Sequence, residues 1–315
     1  MGKTDVAMRG YLSDRRRFAD FFNGVFFQGT SVIKAEDLQE ASEQYTTSKG
    51  QPRERLRDLK MTLRTGETLR ILSLENQTHI DYTMPYRCME YDTLEYGKQL
   101  QQLKRHNKEH KLLHSSAEKL CGVTAKDRLA PVYTVCLYHG EELWDGPLSL
   151  RDMMNFGNDA DGMNRYFADY PFRLFCVNEH TDFSIFHTEL REAFTAMTYR
   201  QDKKMLYHTL ADNPAFKKLD ADTVRVLSVT LNMPKLWNER NLFMHINEEN
   251  EEEFDMCQAM KELLADAKAI GINKGNEDKT RIVVTNMLKR GMSPEDICAL
   301  AECSEEFVEK IMAEL

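Results

Sequence analysis

Asp58, Glu75 and Gln77 are the residues whose types and spacing point most directly to chemistry. Cleaving a phosphodiester needs a divalent ion to activate water and to neutralise charge on phosphorus. Magnesium is a hard cation that takes one or two carboxylates from a protein and completes its shell with water and phosphate oxygens. Gln77 stands two residues past Glu75, so within a strand their side chains share a face, and there the amide can orient a water or a phosphate oxygen. Carboxylates in such positions also occur on the solvent face of ordinary hairpins. Against that reading, Leu69-Arg70-Ile71-Leu72-Ser73-Leu74 is largely apolar and runs directly into Glu75. Glu75 therefore stands at the end of a buried element, where carboxylates are usually paired or metal-bound.

The elements that must position these groups can be read from periodicity. Leu56, Asp58, Lys60, Thr62 and Arg64 alternate with Arg57, Leu59, Met61 and Leu63. Arg64-Thr65-Gly66-Glu67 reads as a turn and 69–74 as a second strand, which together predict a β-hairpin. Upstream, 15–27 places Phe18, Phe21, Phe22, Val25 and Phe26 on one helical stripe that Gly29 ends, and a polar loop follows over 34–53. Downstream, Pro85 opens a helix expected to reach about Lys111.

Residues 131–140 and 172–180 have strand character, with a short helical stretch between them at 150–156; 188–210 and 220–231 read as helices. Strands interleaved with helices predict an α/β fold with a mixed sheet. The acidic run 247–255 reads as a solvated loop or helix start, 256–270 as part of an amphipathic linker helix, and GINKGNEDK (271–279) as a polar, glycine-bearing break. The expected organisation is a main domain over 1–245, a linker helix over 246–270, and a small helical, helix-turn-helix-like tail over 271–315. In that tail Ser293-Pro294 opens one helix and Ser304 the next. Glu305 and Glu306 at the start of the last helix would repel phosphate, so the tail is expected to pack against the body or to join copies of the chain.

The chain carries 42 basic and 51 acidic residues, a formal net charge of -9, which argues against a protein that coats DNA through overall charge. Any nucleic-acid contact must come from a local basic face. The seven cysteines include no CxxC pair, as expected of reduced thiols in a cytoplasmic protein. The sequence gives no expectation of a signal peptide or of a membrane-spanning helix.

Several blocks together resemble a known family. These are RRFADFFNGVFFQG, ENQ-x3-DY-x-MP-x-R-x3-YD, PV-x4-LY-x-G-x3-W and GINKGNEDK. They are similar to the Rpn family of recombination-promoting nucleases, also called YhgA-like transposases, over essentially the whole chain. The resemblance implies a PD-(D/E)xK restriction-endonuclease-like core with a helical C-terminal extension, and a magnesium-dependent endonuclease (manganese as an alternative ion) acting on double-stranded DNA. By position it makes Asp58 and Glu75 the metal-binding carboxylates and Gln77 the third motif residue. Asp20 matches an acidic residue of the family's N-terminal motif, as a further ligand or holder of metal-bound water, or merely a solubilising residue of its helix. Glutamine in the lysine position supplies no positive charge, so a catalytically weak or inactive DNA- or protein-binding member is the alternative.

Arg87 and Tyr91 follow at helical spacing. Arg87 either contacts phosphate or pairs with Asp81 or Asp92, whereas Tyr91 reads as structural. Lys98, Lys104, Arg105, Lys108 and Lys111 form the clearest basic stretch, either tracking a phosphate backbone or simply solvating a helix. His106, His110 and His114 are spaced by four, which on a helix would gather three imidazoles for a transition metal. Trp144 reads as a core or rim aromatic.

Overall fold

A computed structural model describes residues 2–41, 58–157, 162–248 and 252–315. In chain order the elements are α1 (Lys3–Leu12), α2 (Arg15–Phe27), β1 (Leu38–Glu40), β2 (Leu59–Thr65), β3 (Thr68–Gln77), α3 (Met84–Glu109), α4 (Ser116–Cys121), β4 (Val132–Tyr138) and β5 (Arg173–Cys176). They continue with α5 (Leu190–Thr198), α6 (Lys203–Asp212), α7 (Ala221–Thr230), α8 (Pro234–Asn238), β6 (Met244–Ile246), β7 (Glu252–Phe254), α9 (Met256–Lys289), α10 (Pro294–Ala301) and α11 (Glu305–Glu314). The chain divides into two compact units, 1–256 and 257–315.

The first unit is built on a five-stranded mixed sheet in the order β1-β2-β3-β4-β5. β1, β2 and β3 run antiparallel, and β3-β4 and β4-β5 run parallel. The hairpin forms because apolar and polar residues alternate up to the turn. Thr65 pairs with Thr68 around Gly66, whose φ of +59 is a conformation glycine adopts without steric cost. A parallel pair needs a long crossover, and the stretch containing α3 and α4 supplies it between β3 and β4.

Period-two alternation splits the sheet into two faces. Leu59, Met61, Leu63, Leu72, Leu74, Val135, Leu137 and Phe175 point into the main core. There they meet Met8, Tyr11 and Leu12 of α1, Phe18, Phe21 and Phe22 of α2, Leu190 and Phe194 of α5 and Val226 of α7. Each fully buried phenylalanine there contributes roughly 1.5–3 kcal/mol. Phe21 stacks on Phe186 and meets Phe175 and Phe194 edge-on. Gly24 permits this packing: a Cβ there would lie 2.3 Å from the Phe186 ring. The opposite face packs under α3, where Met84, Cys88, Cys136 and Phe172 form a smaller core with Trp144 at its rim. The Trp144 ring lies 5.1 Å from that of Tyr138.

The polar loop expected over 34–53 contains a short strand, since Leu38 turns inward and β1 pairs with β2; residues 42–53 of that expectation lie outside the described residues. α1 had no sequence expectation, because only Met8, Tyr11 and Leu12 of its ten residues are buried. The acidic run holds a strand: β7 pairs with β6, turning Phe254 fully inward while Glu252 stays exposed and Glu253 accepts the Asn247 amide at 2.9 Å.

The break expected over 271–279 is absent. α9 runs unbroken from Met256 to Lys289 through Gly271 and Gly275, so the expected linker boundary at 270 does not hold. Glycine costs a helix interior about 1 kcal/mol relative to alanine, and the run of Ala, Lys, Glu and Leu residues ahead of Gly271 offsets it. In the second unit Val284, Ile297, Val308 and Ile311 form a closed core of α9, α10 and α11. Ser293 accepts the N–H of Asp296 and Ser304 that of Phe307, capping α10 and α11 as their sequences predict.

Candidate functional site

The register of the hairpin decides whether Asp58 and Glu75 meet. The paired ladder ends at Leu59–Leu74, with Asp58 just ahead of β2 and Glu75 the next residue of β3. Asp58 Oδ2 accepts the backbone N–H of Asn76 at 2.8 Å, fixing its carboxylate beside the residue that follows Glu75. Both acids are nearly closed off from water, at 6% and 1% exposure. Burial pushes the Asp58 carboxyl above its ordinary value, with the Asn76 N–H and the positive charges of Arg9 and Arg87 acting the other way.

Glu75 alternates with Leu74, so its side chain points away from the main core and toward α3. Gln77, two residues on, shares that face and is half-buried at the last position of β3. On β4 their neighbours are Cys136 beside Glu75 and Tyr138 beside Gln77. The Cys136 thiol is raised well above its usual value by burial, then by Cys88 and Glu75 nearby.

Arg87, near the start of α3, completes the cluster. Its guanidinium pairs with Asp81, approaches Glu75 at 3.8 Å between Nη2 and Oε2, and lies 6.0 Å above the Tyr91 ring. Of the two pairings open from sequence, Asp81 is the one formed. Asp92 instead accepts the hydroxyls of Thr134 at 2.7 Å and Tyr170 at 2.6 Å. Burial raises the Asp81 carboxyl, but the Thr83 hydroxyl and Arg87 hold it below its ordinary value on balance.

This donor set fits magnesium, a hard ion that needs only one or two carboxylates from a protein. Asp58 and Glu75 would supply those and Gln77 an amide oxygen nearby. Among the described residues no group of three or more His, Cys, Asp or Glu side chains is arranged to hold a metal ion.

Asp20 does not join them. It sits in the helical layer over the main core, on the far side of the sheet from Glu75. Its carboxylate accepts the N–H groups of His187 and Thr188 and the Thr188 hydroxyl at 2.7–3.0 Å. Asp20 therefore ties α2 to the turn that starts α5, and the expectation of a metal role is corrected accordingly. The three imidazoles also fail to assemble. α3 ends at Glu109, the His106 and His110 rings lie against each other at 4.2 Å, and His110 Nδ1 bonds the His106 carbonyl.

The basic residues lie along the second half of α3 and just past it. Lys104, Arg105, Lys108 and Lys111 are exposed, whereas Lys98 is half-buried and lines a cavity of about 650 Å³ between α3 and the far end of the hairpin. The Lys104 stem lies against Gly122, where a Cβ would come within 2.9 Å of it.

Sequence reasoning missed two nearby residues. Lys60, two positions past Asp58, pairs with Glu95 of α3 at 2.8 Å, both buried; its place in a strand flanked by apolar residues was the available signal. His139 follows β4 and is fully buried, and neither of its ring nitrogens has a hydrogen-bond partner among the described residues. No described helix is long and apolar enough to cross a membrane. No protein family matches the chain, and neither a curated protein nor a solved structure matches it.

Proposed function

We propose that this chain is a metal-dependent DNA endonuclease of the Rpn type, with a PD-(D/E)xK core, that hydrolyses phosphodiester bonds in double-stranded DNA. The observation that supports this reading is the Asp58–Asn76 hydrogen bond, which ties one carboxylate to the backbone of the residue that follows the other. Magnesium or manganese, when bound, would neutralise phosphate charge and lower the pKa of attacking water. Asp58 and Glu75 would hold the ion, and Gln77 would orient the water or a phosphate oxygen. The exposed cations of α3 bear the DNA backbone, so binding rests on a local face while the net charge remains negative.

The test is nicking of supercoiled plasmid with Mg²⁺ or Mn²⁺. Cleavage should need the metal and disappear in both Asp58→Asn and Glu75→Gln. Cutting that survives both substitutions removes the assignment.

A second reading is a protein of this fold that binds DNA or a protein partner without cutting. Glu75 is only 1% exposed behind Arg87, and Gln77 brings no charge. DNA retention with no cleavage under either metal selects that reading.

A further inference from the structure

We propose that Arg87 is a phosphate-operated latch on the carboxylate pair, holding Glu75 until a phosphodiester draws its guanidinium away; the proposal rests on the metal-site reading above. Arg87 is held by Asp81 and by Tyr91, and its attachments to the two carboxylates beside it are unequal. Asp81 holds one arm by a hydrogen-bonded ion pair, while the other leans toward Glu75 at 3.8 Å, too long for a hydrogen bond. The Arg87 side chain is 28% exposed and that of Glu75 1% exposed. A ligand coming from solvent therefore meets the guanidinium first.

The chemistry of this order is directional. A guanidinium stays charged at every working pH and matches phosphate through paired N–H donors. Beside Glu75 it satisfies the same charge a divalent cation would, so ion and guanidinium compete. A phosphodiester oxygen offers Arg87 an alternative partner and leaves Glu75 to the ion. Cation and DNA then raise each other's affinity through one side chain, as reciprocal linkage requires. The ion would load effectively only where a phosphate is present. Arg87 would also place a positive charge near the phosphate, which Gln77 cannot supply.

The experiment measures Mn²⁺ binding to the full chain by electron paramagnetic resonance, with and without a short DNA duplex. Without DNA, Arg87→Gln and Arg87→Ala should bind Mn²⁺ about tenfold more tightly than the unaltered protein, a difference of about 1.4 kcal/mol. Adding duplex should tighten Mn²⁺ binding more in the unaltered protein than in either variant, where there is no guanidinium to displace. Glu75→Gln should abolish binding throughout, and circular dichroism confirms that each variant is folded. If Arg87→Gln binds no more tightly while Glu75→Gln abolishes binding, the metal site stands and the latch is overturned. If no variant binds Mn²⁺, or Glu75→Gln binds as before, the metal-site reading falls and the latch with it.

Discussion

Lys60 and Glu95 join β2 to α3 through an ion pair at 2.8 Å in which both side chains are almost excluded from water, at 2% and 6% exposure. Removing one member leaves the other charge buried without its counter-ion, which typically costs about 3–5 kcal/mol. Lys60→Met and Glu95→Gln should each lower unfolding free energy by that order in urea titrations. The double variant Lys60→Met/Glu95→Leu should recover much of the loss, because apolar side chains of similar volume fill the site without a desolvation penalty. The exposed pair His208–Asp212 should change stability by no more than about 1 kcal/mol when broken. Additive losses in the double variant would mean that the two charges are not coupled.

Asp20 makes a prediction of opposite kind to Asp58. Its hydrogen bonds hold the His187–Thr188 turn, so Asp20→Ala should destabilise the first unit by roughly 1.5–3 kcal/mol. It should leave Mn²⁺ affinity unchanged at temperatures where the protein stays folded. Loss of metal binding in a fully folded Asp20→Ala protein would reinstate Asp20 as a ligand.

His139 should give the protein an acid-sensitive step. Burial, and then the charge of Arg200, lower its pKa from the ordinary 6.5 to about 4, partly offset by Asp5. The folded state thus binds this proton less readily than the unfolded chain does. The stability at stake is fully present above about pH 6.5 and is lost as pH falls toward about 4, amounting to roughly 3 kcal/mol in all. Denaturation followed from pH 7 to pH 4 should show that slope, and His139→Phe should flatten it. A resonance assigned to the His139 imidazole and titrating near 6.5 in the folded protein would contradict the prediction.

The local signals in the sequence were sufficient for the hairpin and for α3. Alternation around Gly66 and the proline at the start of α3 report geometry that neighbouring residues decide among themselves. They also sufficed to place Glu75 and Gln77 on one face. The role of Asp20 was not legible, because its partners lie 167 and 168 residues away and their arrangement depends on how α5 packs. The continuity of α9 escaped for a different reason. Gly271 and Gly275 read as breakers, yet the penalty of each is small beside the cooperativity of a 34-residue helix. Of the candidate site, the residue types were visible in the sequence, whereas the closing of Arg87 over Glu75 and its choice of Asp81 over Asp92 required the fold.

The exposed end of α3 sets the last prediction. Lys104, Arg105 and Lys108 lie on its final turns, with Arg87 near the other end of the same helix. At 1.5 Å per residue, Arg87 and Lys108 are about 30 Å apart, roughly nine base pairs of duplex. DNA lying along α3 would therefore engage the basic end and the carboxylate pair together. Arg105→Ala and Lys108→Ala are the informative changes, since the Lys104 stem also packs on Gly122 and Lys111 has a positive φ. Each should reduce the slope of log affinity against log salt by about 0.9 for every phosphate the variant leaves unneutralised. An unchanged salt slope on long DNA would mark the basic end of α3 as a solvated surface with no part in binding.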